Sequence, residues 1–476
     1  MTDSNAPYSE RARSYDLIVI GAGSAGFAAA IAAAEKGATV ALIGQGVIGG
    51  TCVNTGCVPS KTMIRAAETL HAARAANRFP GLTGEANVTD WRALVTAKDG
   101  LVADLRQKKY ADLLPRYNGV TYLEGAARLH DAGVEWNGRT IAAEKLIITT
   151  GARPAIPDIA GIEAVPYLTS TTALELTSLP KSLLVIGGGY VGCELAQMFA
   201  RVGVQVTITS RHGLLPATEP EIASALTGYF VDEGIRVVSA ADYRQIAQTD
   251  TDIALSVDHD GHSEWLTAEK ILVATGRVPN VESLGLAEIG VAQNANGAIK
   301  IDERMRTTRP GIYAAGDVTG RDQFVYMAAY GARLAALNAL GDNSFVYDNT
   351  AMPWVVFTDP QVAGVGHTVA SAEAAGLNPK ASVVMLDQVS RAIAARDTRG
   401  LIKLVADSRT DRLLGAQILA PEGADSIQTA VLALRHGMTA QSLATTIFPY
   451  LTTVEGLKLA AQSFGKDVTK LSCCAG

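Results

Sequence analysis

Four of the five cysteines in this 476-residue chain stand in two pairs whose type and spacing suit redox or soft-metal chemistry. Cys52 and Cys57 lie within Gly49-Gly50-Thr51-Cys52-Val53-Asn54-Thr55-Gly56-Cys57-Val58-Pro59-Ser60-Lys61, and Cys473 and Cys474 are adjacent, just before Gly476. Two thiols can exchange an electron pair through a disulfide, or hold a soft ion that favours thiolates over nitrogen and oxygen. The layout suggests electron delivery at the first pair and capture of a thiol-seeking substrate at the second. So few cysteines in a long chain fit a reducing compartment, where a pair is more often catalytic than structural, and a cytoplasmic location is expected. Cys193, inside a helical stretch, reads as a small buried hydrophobe.

The first pair faces a geometric constraint. In a regular α-helix, residues five apart have Cα atoms roughly 8.6 Å apart. A disulfide needs about 4.4–6.8 Å. Cys52 and Cys57 therefore do not bond across a regular helix, and Gly56 is placed to distort one. On spacing alone, a structural bridge and two unlinked cysteines both stay open.

Two repeats of one pattern position these residues. Residues 16–20 read as a buried strand that runs into Gly21-Ala22-Gly23-Ser24-Ala25-Gly26, then an Ala-rich helix to about Gly37 and a strand over 38–43. The pattern recurs with a strand over 182–186, Gly187-Gly188-Gly189-Tyr190-Val191-Gly192, a helix over 193–202 and a strand over 205–209. One G-x-G-x-x-G is weak evidence, whereas two, each between strand and helix, imply two dinucleotides. Apolar strands ending in Thr150-Gly151 and Thr275-Gly276 read as chain crossings between domains. A further strand ends at Asp317, an acid placed to accept hydrogen bonds from a polyol. Beyond residue 349 the fingerprints stop, and alternation such as Leu401-Ile402-Lys403-Leu404-Val405 reads as an antiparallel sheet with helices.

The expected fold class is α/β: two Rossmann-like dinucleotide-binding domains plus a C-terminal α+β domain. The boundaries are a disordered tail over 1–14, a first domain over 15–154 and 277–348, a second over 155–276, and an interface domain over 349–476. A 48% hydrophobic, 18% charged composition suits a packed protein rather than a disordered one. A net charge of −6 gives no electrostatic reason to expect nucleic acid. The most apolar stretch, 25–34, is too short to span a membrane, and the first residues lack the pattern of a secretory signal.

These motifs resemble the FAD-dependent pyridine nucleotide–disulfide oxidoreductases over nearly the whole chain from residue 16, most specifically in the Cys52–Cys57 segment. Within that family, Cys473-Cys474-Ala475-Gly476 and Pro449-Tyr450-Leu451-Thr452-Thr453-Val454-Glu455-Gly456 look like the mercuric reductase branch, which reduces Hg(II) to Hg(0) with NADPH. The resemblance implies that Gly21, Gly23, Gly26, Gly50, Thr51, Gly151 and Asp317 hold FAD, and that Gly187, Gly189, Gly192 and Gly276 hold NADPH. The acid usual at the end of the second strand is absent at Gly44-Gln45, which leaves the FAD ribose contact unassigned. The corresponding place in the second fold, Thr209-Ser210-Arg211-His212, also lacks an acid, and Arg211 suits a 2′-phosphate, so NADPH is expected over NADH.

The resemblance further implies a redox-active Cys52–Cys57 pair, with Cys57 against the flavin and Cys52 towards substrate. It pairs Lys61 with Glu194 beside the flavin and lays Tyr190 over its nicotinamide side. Electrons pass from NADPH through FAD to this pair, which then holds Hg(II) while a second NADPH supplies two more. The terminal pair takes Hg(II) from its thiol complexes and reaches the partner's active site in a homodimer. The disulfide-reducing members carry a His where this chain has Tyr450, followed by an acid matching Glu455. A tyrosine, with a pKa about 10, is a poor proton shuttle near neutrality, and reduction of a metal ion needs no protonated leaving thiol. The rival expectations are a large thioredoxin reductase-like enzyme and a thiol buffer that holds soft metal without turnover.

Overall fold

The computed structural model describes residues 14–131 and 133–467. Cys473, Cys474 and residues 1–13 of the expected disordered tail lie outside the described residues. The chain divides into two compact units: one formed by 1–59, 97–154 and 277–347, the other by 60–96, 155–276 and 348–476.

In the first unit, the strands Ser14–Ile20, Val40–Gly44, Val120–Glu124, Arg139–Ile148 and Ile312–Ala314 form a parallel sheet. The register sets Ile20 opposite both Ile43 and Ile148. The strands Ser14–Ile20 and Val40–Gly44 end in continuous apolar runs because both faces are covered, one of them by residues such as Leu129, Val134, Leu284 and Ile299. The first strand opens at Ser14, two residues earlier than the hydrophobic run suggests and inside the span expected to be disordered: Ser14 and Tyr15 pair with Ala142 and Ala143. Helix α1, Ser24–Ala34, buries Phe27, Ala29, Ala30, Ala32 and Ala33 and packs on the helix Val325–Leu340. Small side chains let it lie close to both sheet and helix, and it ends three residues before Gly37.

The turn into α1 explains its last glycine. A Cβ on Gly26 would sit 1.8 Å from the Gly21 carbonyl oxygen, and a Cβ on Gly192 would sit 1.9 Å from that of Gly187. Both strand-to-helix turns close so tightly that only hydrogen fits there.

In the second unit, the strands Arg236–Val238, Gln205–Thr209, Ser182–Ile186, Lys270–Val273 and Tyr167–Leu168 form a second parallel sheet in that order. An antiparallel meander of Asp242–Gln248, Ile253–His259 and His262–Ala268 lies in sequence between Arg236–Val238 and Lys270–Val273. A five-stranded antiparallel sheet runs Pro353–Val356, Gln361–Gly366, Leu413–Ala420, Leu401–Asp407, Pro379–Met385. Residues 60–96, assigned from sequence to the first domain, pack in this unit: Met63, Ile64, Ala67, Trp91 and Val95 share a core with Phe199 and Phe230.

A buried ion cluster ties the C-terminal sheet to the helix Pro220–Asp232. Lys403 donates to Glu219 at 2.8 Å and to Glu221 at 2.9 Å, and the side chains of Lys403 and Glu219 are only 7% and 4% exposed. Glu219 also accepts from the Val369 N–H at 2.7 Å. Removing the cation strands a buried carboxylate. Lys403→Met is therefore expected to lower stability by about 3–5 kcal/mol, read as a drop in melting temperature by calorimetry, with part regained when Glu219→Gln is added.

Candidate active site

The cysteine segment is built on a broken helix. Helix α2 spans Gly50–Asn54, Thr55 leaves helical geometry at φ −138°, ψ 0°, and helix α3, Cys57–Arg74, starts afresh at Cys57. The regular helix that would hold the two cysteines too far apart does not form. Gly56 contributes by size rather than by an unusual dihedral: a Cβ there would approach the Thr51 carbonyl oxygen at 3.0 Å. Cys52 is half-buried and Cys57 exposed.

Behind this segment lies the first glycine turn. Gly49 donates its N–H to the Ala22 carbonyl at 2.9 Å, and Gly50, at φ +66°, brings its backbone so near Gly23 that a Cβ would meet the Gly23 Cα at 2.6 Å. The N-cap of α1 is Gly23, which has no side chain to satisfy the first-turn amides, and no acid lies in that turn. Those N–H groups and the helix dipole fit an anionic pyrophosphate. Gly151, at φ +70°, follows the Thr149 hydroxyl, which donates to the carbonyls of Ile20 and Gly21 at 3.0 Å. Thr51 is exposed on α2.

Asp317 follows Gly316, at φ +76°. Its side chain is 22% exposed and stands 3.5 Å from Arg277 Nε. Burial pushes its carboxyl above the usual range, with Arg277 opposing that shift. Arg277 Nε itself is buried with no hydrogen-bond partner. A largely buried acid and a donor without a hydrogen-bond partner side by side fit a polar ligand such as a polyol. At the end of the strand Val40–Gly44, a Cβ on Gly44 would meet Ala22 Cβ at 2.6 Å and the Tyr122 hydroxyl at 2.9 Å, which accounts for the missing acid there.

The second unit repeats the glycine turn. Here the helix, α5, spans Tyr190–Arg201, starting three residues before the sequence reading because Gly189 serves as its N-cap. Gly187 lies at φ +120° and Gly276 at φ +110°. Arg211 is exposed at the end of the strand Gln205–Thr209, its guanidinium 5.1 Å from the Tyr243 ring centroid. The Tyr243 hydroxyl donates to the Thr209 carbonyl at 3.1 Å, and burial pushes its pKa up to about 12. The stack holds a cation just beyond the end of the strand Gln205–Thr209.

Lys61 of α3 and Glu194 of α5 meet at 2.6 Å, with side chains 32% and 6% exposed. The other Glu194 oxygen accepts from the Phe357 N–H at 2.9 Å, and Lys61 Nζ sits 4.9 Å from the Phe357 ring centroid. Further along the same face of α5, Gln197 clamps Asp359 through both N–H and carbonyl, at 2.8 and 2.9 Å. Arg201 reaches the Asp359 carboxylate at 2.9 Å. Tyr190 is half-buried against Trp354, ring centroids 5.7 Å apart, and burial pushes its hydroxyl up to about 12. Cys193 is fully buried, donates to the Gly188 carbonyl at 3.4 Å, and has its thiol pushed far up by burial. Tyr450 lies on a loop, 48% exposed, beside Leu451 at 43% and near Ile447 at 94%.

Sequence reasoning missed Gln197, Trp354 and Phe357. The polar residues at 194, 197 and 201 share one helical face, a signal available in the spacing. The others carry no local motif.

A family model described as pyridine nucleotide-disulphide oxidoreductase matches residues 15–336, and its dimerisation domain matches residues 352–461. Among relatives, the chain is 48% identical to the mercuric reductase of Acidithiobacillus ferrooxidans, covering 97% of this chain and 84% of that one. It is 45% identical to the mercuric reductase of Lysinibacillus sphaericus, covering 97% and 85%. Among solved structures, the copper(II) complex of the HOCl-induced flavoprotein disulfide reductase RclA from Escherichia coli superposes with a TM-score of 0.84 at 30% identity, covering 95% of this chain and all of that one. Two glycine turns at uncapped helices, a cysteine pair on a broken helix, and matches that run through the dimerisation domain establish one conclusion: the chain belongs to the pyridine nucleotide–disulfide oxidoreductases.

Proposed function

We propose that this protein is an NADPH-dependent flavoenzyme that reduces Hg(II) to Hg(0). The observation that carries the reading is its near-full-length identity to mercuric reductases, well above its identity to the flavoprotein disulfide reductase of the same fold. FAD fits the first unit, held by Gly21, Gly23, Gly26, Gly50, Thr51, Gly151 and Asp317, and NADPH fits the second, held by Gly187, Gly189, Gly192, Gly276 and Arg211. When bound, these cofactors supply a hydride's two electrons to the sulfur pair and its substrate.

The chain's own residues do the rest. Cys52 and Cys57, as thiolates, bind Hg(II) by exchange: each step forms one Hg–S bond, breaks one, and the departing thiolate takes up a proton. No bare ion forms. Two electrons convert bound Hg(II) to Hg(0) and release both sulfurs as thiolates. Lys61, four residues beyond Cys57 on α3, holds a positive charge fixed by Glu194 and the Phe357 ring, and a nearby cation favours thiolate over thiol. Tyr190 covers the nicotinamide side of the site. Tyr450 stands where disulfide-reducing relatives carry a proton-transferring His, and Hg(II) reduction needs no such proton.

Cys473 and Cys474 capture Hg(II) from thiol complexes and pass it to Cys52 and Cys57 of a second copy in a homodimer. The match to a dimerisation domain and the exposed Ile447, Tyr450 and Leu451 within it support that assembly. Among the described residues, no helix is long and apolar enough to cross a membrane.

Purified protein given NADPH, Hg(II) and excess thiol is expected to oxidise NADPH and release mercury vapour, detected by cold-vapour absorption. NADPH oxidation with oxidised glutathione or thioredoxin, but none with Hg(II), would overturn the reading. Lys61→Met should slow flavin reduction by about 10- to 100-fold in stopped flow, the range set by a charge-assisted contact of 1.5–3 kcal/mol. Arg211→Ala should raise KM for NADPH by about tenfold while leaving KM for NADH nearly unchanged, because only the 2′-phosphate loses a partner.

A further inference from the structure

A second structural feature in the first unit holds the cysteine segment, and neither of its residues belongs to the family fingerprints. Helix α4 spans Trp91–Lys109, and Tyr110 follows it, donating its N–H to the Arg106 carbonyl at 3.1 Å. The four-residue spacing puts Arg106 and Tyr110 on one face. Arg106 Nη1 donates to Asn54 Oδ1 at 3.1 Å, and Asn54 Nδ2 donates to the carbonyls of Ile48 and Gly50, both at 2.9 Å. Asn54 is thus gripped at both ends of its amide, midway between the two cysteines. One turn along, the Tyr110 hydroxyl is 3.0 Å from the Ser24 hydroxyl at the start of α1. Its ring stands edge-on to Phe27, centroids 4.9 Å apart, and so near Gly49 that a Cβ there would meet it at 3.3 Å.

We propose that Arg106 and Tyr110 are positioning residues: one helical face fixes the glycine turn through Ser24 and the cysteine segment through Asn54, and so sets the reactivity of Cys52 and Cys57. The broken helix makes such a brace necessary. Helix α2 is only one turn long and lacks a side-chain cap at Gly49, so its own hydrogen bonds cannot define its place. The inference takes the two cysteines as the reactive pair, but its test uses neither Hg(II) nor NADPH. The brace can therefore fail while mercury reduction stands, and the reverse.

The test is the alkylation rate of each cysteine by iodoacetamide in dithiothreitol-reduced holoprotein, resolved by peptide mass spectrometry. R106M is expected to speed alkylation of Cys52 and Cys57 by about tenfold, the factor for losing a charged hydrogen bond. Y110F, which deletes one hydroxyl, should give about threefold. R106K, which keeps a donor for Asn54, should stay near wild type, and buried Cys193 should stay unreactive throughout. Wild-type rates in both R106M and Y110F would overturn the proposal. So would R106K matching R106M, or Cys193 accelerating in step with the pair, which would mean general loosening. Should R106M fail to fold, the Y110F rates decide.

Discussion

One buried carboxylate sets much of the second unit's arrangement. Glu194 is 5% exposed, and a carboxylate in that position is tolerated only if both oxygens find strong partners. One takes Lys61 and the other the backbone N–H of Phe357. The first contact brings α3 to α5, and the second brings in the connection between the strands Pro353–Val356 and Gln361–Gly366 of the C-terminal sheet. Gln197 and Arg201 continue the row, so three polar residues on one helical face hold residues 357–359 through backbone and side chain together. The cation that results is stiff: Lys61 is held by charge on one side and an aromatic face on the other. A lysine free in solvent would spread its charge over many positions.

The two glycine turns solve a different problem by the same means twice. Each closes a strand onto a helix with a carbonyl where a Cβ would have to go, and each leaves the helix start without a side-chain cap. Uncapped amides are a liability in an empty turn and an asset beside phosphate. What differs is the surroundings. The first turn lies against a second pair of glycines that lead into the cysteine segment, whereas the second lies near an arginine stacked on a tyrosine. Closely similar backbone geometry thereby sits in two different electrostatic surroundings.

The glycine turns and the parallel strands were legible because they depend on local rules: apolar runs of strand length, then residues that alone fit a tight turn. Distance arithmetic required a break between α2 and α3 only for a bonded Cys52–Cys57 pair; the break is present, and Gly56 serves it through close approach to Thr51 rather than through dihedral freedom. Helix starts were misplaced by three residues at Tyr190 because a glycine N-cap looks like loop in sequence. The packing of residues 60–96 with the second unit was not legible, since nothing local says which core Trp91 and Met63 will join. Arg106 and Tyr110 were invisible for the same reason. Their meaning lies in Asn54 and Ser24, some fifty and eighty-six residues away, and long-range hydrogen bonds leave no periodic trace.

The three described cysteines show how one residue type is divided into inert and reactive forms. Cys193 sits in the interior of α5 with its sulfur against a carbonyl, and burial drives its pKa so high that thiolate never accumulates near neutrality. A soft cation meets no ligand there, because the thiolate is the species that binds it. Cys52 and Cys57 are at least partly open to solvent, where an ion arriving as a thiol complex can exchange ligands without first losing one. Exposure alone would leave two floppy thiols on a one-turn helix. The brace from α4 supplies the order that exposure removes, through the Arg106–Asn54 hydrogen bond. Selectivity among the cysteines is thus a matter of dielectric and of hydrogen bonds to backbone carbonyls, with the sulfur chemistry itself the same throughout.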